Sequence, residues 1–356
     1  MPLSTTFTRV KDFRSLGNTS LLMPALGFGA APIGNLYNAI SDSAAAAAID
    51  SAFAQAINYF DTAPHYGFGL SESRLGKAIA GKREQLIISS KVGRLLVPSD
   101  STEAVRHGFA NAPALEPVFD YSYDAVMRSF ESSLRRLQTN HIDILLAHDL
   151  GPLTHGEQHE HHFRVFMQGG YRAMHELRAQ GLVGAIGLGT NEWQVCEQAL
   201  VHGDFDGFLL AGRYTLLEQS ACETFFPLCE KRGVSVILGG PFNSGILASG
   251  VSGVGPFYYN YEAAPQNIIQ QVTRLEKICA EFDIPLAAAA LQFPGAHPQI
   301  CSVIAGLASP AQVEQAVIWM QQTIPNEFWL ELRAQNLLHP NAPTPTTLFS
   351  TELLDE

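Results

Sequence analysis

The 356-residue sequence predicts a single (β/α)8 barrel that spans the whole chain, residues 1–356. Strand and helix patterns alternate through eight consecutive units, the number that closes a TIM barrel. Each predicted strand is a short and almost continuously apolar run, as expected of a parallel sheet buried on both faces. No linker rich in Pro, Gly or Ser divides this alternation, so we predict one domain with a loosely packed tail at 340–356.

The predicted strands are apolar runs bounded by turn residues. A short hairpin around Gly17 and Asn18 precedes the first of them. In chain order the barrel strands cover 21–30, 58–63, 86–92, 142–148, 183–189, 205–212, 234–240 and 300–306. Long insertions at 93–120 and 149–170 follow the third and fourth strands, and the second insertion is polar and rich in His. We expect both to be loops that shape a substrate pocket.

The helices are predicted from apolar residues spaced three and four apart and from their terminal residues. Val126, Phe130 and Leu134 place one such face on the third helix, and Ser41 or Asp42 is the expected N-cap of the first. In chain order the predicted helices cover 41–57, 71–81, 122–138, 171–181, 192–203, 221–233, 265–282, 286–293 and 309–322.

Composition narrows the possible partners and compartments. A net charge of -12 and a pI near 5.4 argue against nucleic acid and anionic membranes, which leaves a small molecule as the expected partner. No apolar run approaches the roughly 18 residues of a membrane span, and the first residues lack the apolar core of a signal peptide. Five scattered cysteines without a CxxC pair suggest reduced thiols in a cytoplasmic protein. The oligomeric state is left open.

Four polar residues follow consecutive predicted strands at their C-terminal ends. Asp61 and Tyr66 follow the second strand, Lys91 ends the third and His148 ends the fourth. In a closed barrel these ends converge on one face, where barrel enzymes keep their chemistry. A Lys with an Asp counter-ion should favour the phenolate and move the pKa of Tyr66 from about 10 toward neutrality. Such a Tyr can exchange a proton with a carbinol or carbonyl oxygen.

Each of these residues also has a structural explanation when it is taken alone. Asp61 can cap a strand end, Tyr66 can pack on the surface and Lys91 can be a solvated strand end. His148 can be a core histidine with satisfied hydrogen bonds. Their joint placement at consecutive strand ends favours the catalytic interpretation.

The motifs that contain these residues resemble those of the aldo-keto reductases. FDTAxxYG with a following SxSxLG matches 60–76, SSKVG matches 89–93 and DILLxHD matches 143–149. The resemblance extends from Leu16 to Gln322 and implies catalytic roles for Asp61, Tyr66, Lys91 and His148 in a (β/α)8 barrel. Several further segments resemble the aldose 1-dehydrogenase branch, which includes D-threo-aldose, L-fucose and pyridoxal dehydrogenases. These segments are 90–96, 119–134, 185–196, 208–219 and 239–250.

The resemblance also implies a nicotinamide cofactor bound without a GxGxxG fingerprint, and this chain has no such motif opening a helix after its first strand. The matching positions imply that Gly29 and Ala30 flank the nicotinamide, and that Asn191 binds its carboxamide. Gly239 stands where the family often stacks an aromatic ring on the nicotinamide. The residues implied to hold the pyrophosphate and the adenosine end are Gly240, Phe242, Ser244, Ser309 and Gln312.

The segment after the last strand predicts the choice of cofactor. NADP-specific relatives carry a Lys and an Arg where this chain has Gly306 and Gln312, and no Lys or Arg lies between Ala305 and Gln322. A phosphate dianion needs charge-assisted donors. We therefore predict a preference for NAD, with possible use of NADP. A basic residue from another loop, such as Arg213 or Lys231, is the alternative phosphate ligand.

The His-rich insertion has two interpretations. Its spacing could suit a metal, yet it has no neighbouring Cys and no apolar frame that would fix ligand geometry. We expect a solvated loop that lines the pocket, and no metal. The residues concerned are His155, His159, His161 and His162.

The function expected from these observations is NAD(P)-dependent oxidation of the C1 hydroxyl of a free aldose, of the L-fucose or D-threo-aldose type, to its lactone. Tyr66 would act as the general base, with Lys91 and Asp61 in support, and His148 would bind the reacting oxygen. Oxidation of pyridoxal is an alternative, because its internal hemiacetal resembles a cyclic sugar at the reacting carbon. A regulatory protein that binds the cofactor with little turnover is another. The sequence does not identify the sugar.

Overall fold

A computed structural model describes residue 10 and residues 12–345. Eight parallel strands close into a barrel, which confirms the predicted fold class. Each strand pairs with the next one along the chain, and the last pairs with the first. Labelled β1 to β8 in chain order, they are Leu26–Gly29, Tyr59–Asp61, Ile87–Val92, Ile142–His148, Val183–Thr190, Gly207–Ala211, Ser235–Gly239 and Ile300–Gly306.

Helices pack against the outer faces of the strands through one continuous hydrophobic cluster. Each predicted helix is present with slightly different ends. In chain order these helices are Asp42–Ala54, Leu70–Ala78, Tyr123–Leu137, Tyr171–Ala179, Gln194–His202, Phe225–Arg232, Gln266–Glu281, Leu286–Gln292 and Pro310–Gln321. A further helix, Asn326–Ala334, has no counterpart in the prediction and buries Phe328, Trp329 and Leu332.

The first predicted strand, 21–30, is divided between two sheets. Its first part, Leu22–Pro24, pairs in antiparallel fashion with Phe13–Ser15 and confirms the N-terminal hairpin. Its second part is β1 of the barrel. Leu16 and Met23 of the hairpin belong to the cluster that fills the barrel interior, so the hairpin closes the N-terminal end of the barrel. The site must therefore lie at the opposite end.

The insertion after β3, predicted as a loop, is built from two antiparallel strand pairs. Arg94–Pro98 pairs with Leu115–Phe119, and Val105–Arg106 pairs with Phe109–Ala110. The second pair is tied to the segment after β1 through a bridge between Leu36 and Phe109. The backbone is thus ordered where it borders the mouth of the barrel.

The insertion after β4 is mostly helical, so the prediction of a loop over 149–170 is wrong there. It contains Pro152–His155, His159–Val165 and a π-helical turn at Phe166–Gly170. Phe163 and Phe166, three residues apart, are both buried. This helical spacing of aromatic residues anchors the segment, whose charged and His side chains mask the pattern in the sequence.

All five cysteines are buried free thiols. Burial raises the pKa of Cys222 to about 11 and that of Cys279 to about 12, which makes them poor nucleophiles. They serve as small buried side chains. The part of the chain that the structure describes contains no helix long and apolar enough to cross a membrane.

The predicted tail at 340–356 is described as far as residue 345. Its first residues are packed rather than loose, because Arg333 donates a hydrogen bond to the backbone oxygen of Pro340 at 3.1 Å and Ala342 is fully buried. The rest of the predicted tail, 346–356, lies outside the described residues.

Candidate active site

The four residues predicted to be catalytic meet at the C-terminal end of the barrel. Asp61 is the last residue of β2, Lys91 lies one residue before the end of β3 and His148 is the last residue of β4. Tyr66 lies in the turn after β2, where its backbone N–H donates to the backbone oxygen of Ala63 at 3.1 Å. Strand ends that are distant in sequence therefore bring these four residues together at one end of the barrel.

A buried ion pair between Asp61 and Lys91 forms the base of the site. Lys91 Nζ lies 2.8 Å from both carboxylate oxygens of Asp61 and donates to the backbone oxygen of Thr62 at 2.9 Å. Ser89 Oγ donates to Asp61 Oδ1 at 2.7 Å. The Lys91 and Asp61 side chains are 1% and 3% exposed. Charges removed from water to this degree persist when they are paired and hydrogen-bonded, as they are here.

Tyr66 lies between this ion pair and His148. Lys91 Nζ is 4.7 Å from the centroid of the Tyr66 ring, on its face. The Tyr66 and His148 rings meet edge to face, with centroids 5.8 Å apart and planes at 85°. Tyr66 as a whole residue is partly exposed, so a ligand at this end of the barrel can reach it.

The phenol of Tyr66 does not have the lowered pKa that the sequence predicts. Burial raises the pKa of Tyr66 well above 10, and the nearby carboxylate of Asp61 raises it further. The positive charge of Lys91 is shared between both oxygens of Asp61, so it does not stand free to stabilise a phenolate. Lys91 instead limits the repulsion that an unpaired Asp61 would exert. The structure thus favours the neutral phenol, which is a proton donor.

His148 is a neutral imidazole in a buried position. Burial lowers its pKa well below 6.5, and the positive charges of Arg94 and Lys91 lower it further. The hydroxyl of Tyr121 donates to the backbone oxygen of His148 at 2.7 Å and so fixes the end of β4. His148 Nε2 lies 3.5 Å from Oδ2 of Asp149, whereas Nδ1 is buried with no hydrogen-bond partner among the described residues.

Three polar residues of the site were not predicted. Arg94 donates to Oδ2 of Asp149, and its other terminal nitrogen, Nη1, lies 3.0 Å from Nε2 of His65. The His65 and His148 rings meet at a centroid distance of 5.9 Å. Asp149 ends the motif DILLxHD and Arg94 directly follows the motif SSKVG, so their places beside these motifs could have marked them as candidates.

Aromatic rings form much of the remaining wall. Phe109, on the insertion after β3, lies with its ring centroid 5.2 Å from that of His65 and 6.2 Å from that of Tyr66. His107 and Phe68 also contact His65. The pocket beside the Tyr66 hydroxyl is therefore bounded by flat, conjugated side chains on the side of this insertion.

The His-rich segment lines the outer part of this region without forming a metal site. Among residues 10 and 12–345, no group of three His, Cys, Asp or Glu side chains is arranged to hold a metal ion. The rings of His155 and His162 pack together at 4.2 Å, and His155 Nε2 lies 3.0 Å from the Tyr121 hydroxyl. His159 Nε2 bonds instead to the side chain of Gln198 at 2.9 Å. The segment is helical, in contrast to the solvated loop expected from sequence.

Gly189 on β5 makes room for the catalytic lysine. It pairs in register with His148 across the two strands. A Cβ atom at Gly189 would lie 3.3 Å from Cε of Lys91 and 3.5 Å from Cδ1 of Leu146. The lysine stem therefore occupies space that a larger residue at this position on β5 would need.

The residues predicted to bind the nicotinamide lie on the same rim as the ion pair. Gly29 ends β1, and the backbone N–H of Ala30 donates to the backbone oxygen of Asp61 at 2.8 Å. A Cβ atom at Gly29 would lie 3.0 Å from the backbone oxygen of Ala305, so a side chain is disfavoured there. Asn191 directly follows β5, and its backbone oxygen accepts from Arg213 Nε at 2.6 Å.

The loop after β7 has the character of a binding loop for a polar group. Gly240, Asn243, Ser244 and Gly245 all have positive φ, between 45° and 94°. Asn243 Oδ1 is buried without a hydrogen-bond partner in the described part of the chain, and no atom lies within 4 Å of a Cβ built at Gly245. Phe242 packs edge-on against Trp319, with centroids 5.9 Å apart. Consecutive left-handed residues beside open space are a backbone arrangement that can turn N–H groups toward a phosphate.

Ser309 and Gln312 form a capping box at the start of the helix after β8. Ser309 Oγ accepts from the backbone N–H of Gln312 at 3.3 Å, and Gln312 Oε1 accepts from the backbone N–H of Ala308 at 2.7 Å. Both side chains thus stabilise the helix terminus. Neither side chain carries a charge that could pair with a phosphate.

Comparison with known proteins shows the family of this chain. The model of the aldo/keto reductase family matches residues 25–336. This chain belongs to the aldo-keto reductase family. It is 44% identical over 340 residues to pyridoxal 4-dehydrogenase of Microbacterium luteolum, and the aligned region covers 93% of this chain and 99% of that protein. It is 35% identical over 330 residues to D-threo-aldose 1-dehydrogenase of a Pseudomonas species, covering 91% and 96%. The predicted resemblance to the aldose dehydrogenase branch is confirmed.

Solved structures give the same fold. The holo form of the aldo-keto reductase AKR11C1 from Bacillus halodurans superposes with a TM-score of 0.72 at 26% identity, covering 96% of this chain and 99% of that one. An aldo/keto reductase from Klebsiella pneumoniae, solved with NADP and acetate, superposes with a TM-score of 0.66 at 20% identity over 95% and 100%. This chain is accordingly an oxidoreductase that acts on CH–OH groups with a nicotinamide cofactor.

Proposed function

We propose that this aldo-keto reductase oxidises a cyclic hemiacetal at the carbon that carries the hydroxyl group, giving a lactone, and that pyridoxal in its hemiacetal form is the substrate. The hydroxyl loses its proton, the carbon loses a hydride and a carbonyl group forms. The same bonds change when an aldose is oxidised at C1. A hemiacetal substrate thus accounts for both curated relatives described above.

The observation that favours pyridoxal is the aromatic wall beside Tyr66. His65 and Phe109 lie within ring contact of each other at 5.2 Å, and Phe109 lies 6.2 Å from Tyr66. Flat rings suit a pyridine ring, which gains from offset or edge-to-face contacts. A relative 44% identical over most of this chain carries the name pyridoxal 4-dehydrogenase, which supports pyridoxal as the first candidate and an aldose as the second. From the sequence alone, an aldose is the expected substrate and pyridoxal is the alternative.

An aldose remains the second candidate. The relative named D-threo-aldose 1-dehydrogenase is 35% identical over 91% of this chain. Arg94 and Asp149 also provide charged groups that could bind sugar hydroxyls, although they are bonded to each other. No observation favours the third alternative, a regulatory protein with little turnover.

In the proposed mechanism Tyr66 exchanges the proton of the reacting hydroxyl. Its raised pKa keeps it a phenol near neutral pH, so the proton that reduction requires is present on the hydroxyl. In the direction of oxidation it must first lose its own proton. His148, neutral and beside Tyr66, would hydrogen-bond the reacting oxygen and orient the carbon. Asp61 and Lys91 hold the geometry beneath the phenol.

A bound nicotinamide would supply the hydride acceptor or donor. Gly29 and Ala30 would lie beside its ring, and Asn191 would hold the carboxamide. The loop after β7 and the helix after β8 would hold the phosphates and the adenosine end through Gly240, Phe242, Ser244, Ser309 and Gln312. We propose NAD as the preferred cofactor.

The test is a substrate panel of pyridoxal, L-fucose, a D-threo-aldose and a simple primary alcohol, each with NAD and with NADP. We expect the highest kcat/KM for pyridoxal with NAD, and a product two hydrogen atoms lighter than the substrate by mass spectrometry. Turnover of the alcohol with none of the hemiacetals would overturn the proposal. A preference for a sugar over pyridoxal would select the second candidate.

A further inference from the structure

Arg94 occupies a position that the reaction described above does not use. Its guanidinium bridges Asp149 and His65, with Nη1 of Arg94 3.0 Å from His65 Nε2. It also lies over the ring of Phe119, 4.8 Å from the centroid. The Arg94 and Asp149 side chains are 17% and 13% exposed, so this ion pair is largely removed from water. The desolvation cost of such a pair can exceed its Coulombic gain, so stability alone is a weak explanation for it.

The purpose is suggested by the carboxylate that Arg94 binds. Oδ2 of Asp149 accepts from Arg94 and lies 3.5 Å from Nε2 of His148. One carboxylate oxygen is therefore shared between a permanent cation and an imidazole. A carboxylate left alone with a histidine at this distance would favour the imidazolium.

We propose that Arg94 is a positioning residue that engages the Asp149 carboxylate and thereby keeps His148 as a neutral hydrogen-bonding group for the substrate oxygen. The inference rests on the proposed role of His148 in binding that oxygen. A protonated His148 would place a positive charge next to the substrate oxygen, and this charge would oppose the loss of electron density from that oxygen as the hydride leaves. It would also lie beside the Tyr66 phenol, whose proton exchange it would disturb.

The surroundings of His148 support this assignment. The groups that face it are Lys91 on β3, Arg94 on the strand after it, His65 and Tyr66 on the turn after β2, and Asp149 on its own segment. The hydroxyl of Tyr121 donates to the backbone oxygen of His148 and also lies 3.0 Å from Nε2 of His155.

Asp149 is the one negative group in this set. Burial, Arg94, Lys91 and His65 all lower the pKa of His148, burial having the largest effect. Burial raises the pKa of Asp149, and Arg94 opposes that rise. Removing Arg94 therefore releases Asp149 and His148 to take up a proton together at higher pH.

The test compares the pH dependence of kcat/KM for oxidation in variants of Arg94 and Asp149. The acid limb is the further fall at low pH that protonation of His148 adds to the gradual fall caused by Tyr66. In Arg94→Met the acid limb should move upward by about 1–3 pH units, the effect of one neighbouring charge. In Asp149→Asn, Arg94 remains without its counter-ion, so the limb should not rise and should move downward where it is measurable. Arg94→Lys keeps the charge and should hold the limb near that of the native enzyme. Adding His148→Gln to Arg94→Met should remove the shifted limb.

A uniform loss of activity in Arg94→Met, with the acid limb unmoved, would show that Arg94 has a purely structural role and would overturn the inference. An upward shift in Asp149→Asn would do the same. If circular dichroism shows that Arg94→Met does not fold, the acid limbs of Asp149→Asn and Arg94→Lys still test the proposal. The limb should move downward in Asp149→Asn and stay near that of the native enzyme in Arg94→Lys. The profiles can be measured on whichever substrate turns over, so a failed pyridoxal assignment is distinguished from a failed role for Arg94.

Discussion

Nζ of Lys91 lies 2.8 Å from each carboxylate oxygen of Asp61, inside the C-terminal mouth of the barrel. We predict that Lys91→Met lowers stability as well as activity, because it leaves Asp61 buried without its counter-ion. Breaking a buried pair from one side costs about 3–5 kcal/mol. The free energy of unfolding, from urea titration, measures this loss.

The double variant Lys91→Met with Asp61→Asn is the matched control. It removes both charges, so it should recover much of the lost stability but not the activity. Equal stability of the single and double variants would contradict the view that the unpaired carboxylate causes the loss.

Tyr66→Phe should abolish hydride transfer while binding of NADH stays near that of the native enzyme. The phenol hydroxyl is the group placed to exchange the proton, and such groups contribute about 10²–10⁴-fold. Stopped-flow kinetics of hydride transfer, together with NADH fluorescence titration, separates the two effects. A variant that kept most of its rate would exclude Tyr66 as the proton-exchanging group.

The raised pKa of Tyr66 predicts opposite pH dependence for the two directions of reaction. Oxidation needs the phenolate, so its kcat should increase as the pH rises toward the elevated pKa of Tyr66. Reduction needs the phenol, so its kcat should be flat at neutral pH and fall in strongly alkaline solution. Initial rates in both directions over the same buffers provide the measurement. An oxidation rate already constant from neutral pH upward would contradict the prediction.

The cofactor preference should favour NAD, as measured by the ratio of kcat/KM for the two cofactors on one substrate. Gln312 is occupied in capping the helix through Ala308, and it carries no charge for a 2′-phosphate. Gln312→Arg should shift the ratio toward NADP by about tenfold, the effect of roughly 1.4 kcal/mol of new charge-assisted bonding.

A native ratio of tenfold or more in favour of NADP would mean that a phosphate ligand lies elsewhere. Arg213 is the residue to test next, since its guanidinium already contacts Asn191 and Asn260 beside the cofactor rim. Arg213→Met should leave the ratio unchanged if the prediction for Gln312 is correct.

The barrel could be predicted from sequence because its strands carry a strong local signal. A short apolar run such as 142–148 must be buried on both faces, and eight of them in alternation with helices leave few topologies. The division of 21–30 could not be predicted, since Leu22–Pro24 and β1 are both apolar and differ in their pairing partners. The helices within 149–170 were missed because His and Glu side chains obscure the spacing of Phe163 and Phe166.

The site was predicted in part for the same reason. Asp61, Lys91 and His148 end strands, so the closure of the barrel determines where they meet. The position of Arg94 depends on how the insertion after β3 folds back, which no local pattern encodes. The pKa of Tyr66 was predicted in the wrong direction because it depends on burial and on how completely Lys91 is bound to Asp61.

Gly189 has no side chain, yet it affects the position of Lys91. A Cβ atom at Gly189 would lie 3.3 Å from Cε of Lys91. A methyl group at this position on β5 would crowd the stem of Lys91 on β3 and shift its ammonium group relative to Asp61. Engineering of substrate range is therefore better directed at the insertion after β3, whose Phe109 lies beside Tyr66, than at the barrel wall next to Lys91. The barrel wall next to Lys91 tolerates little change, because the missing side chain at Gly189 leaves the space that the lysine stem occupies.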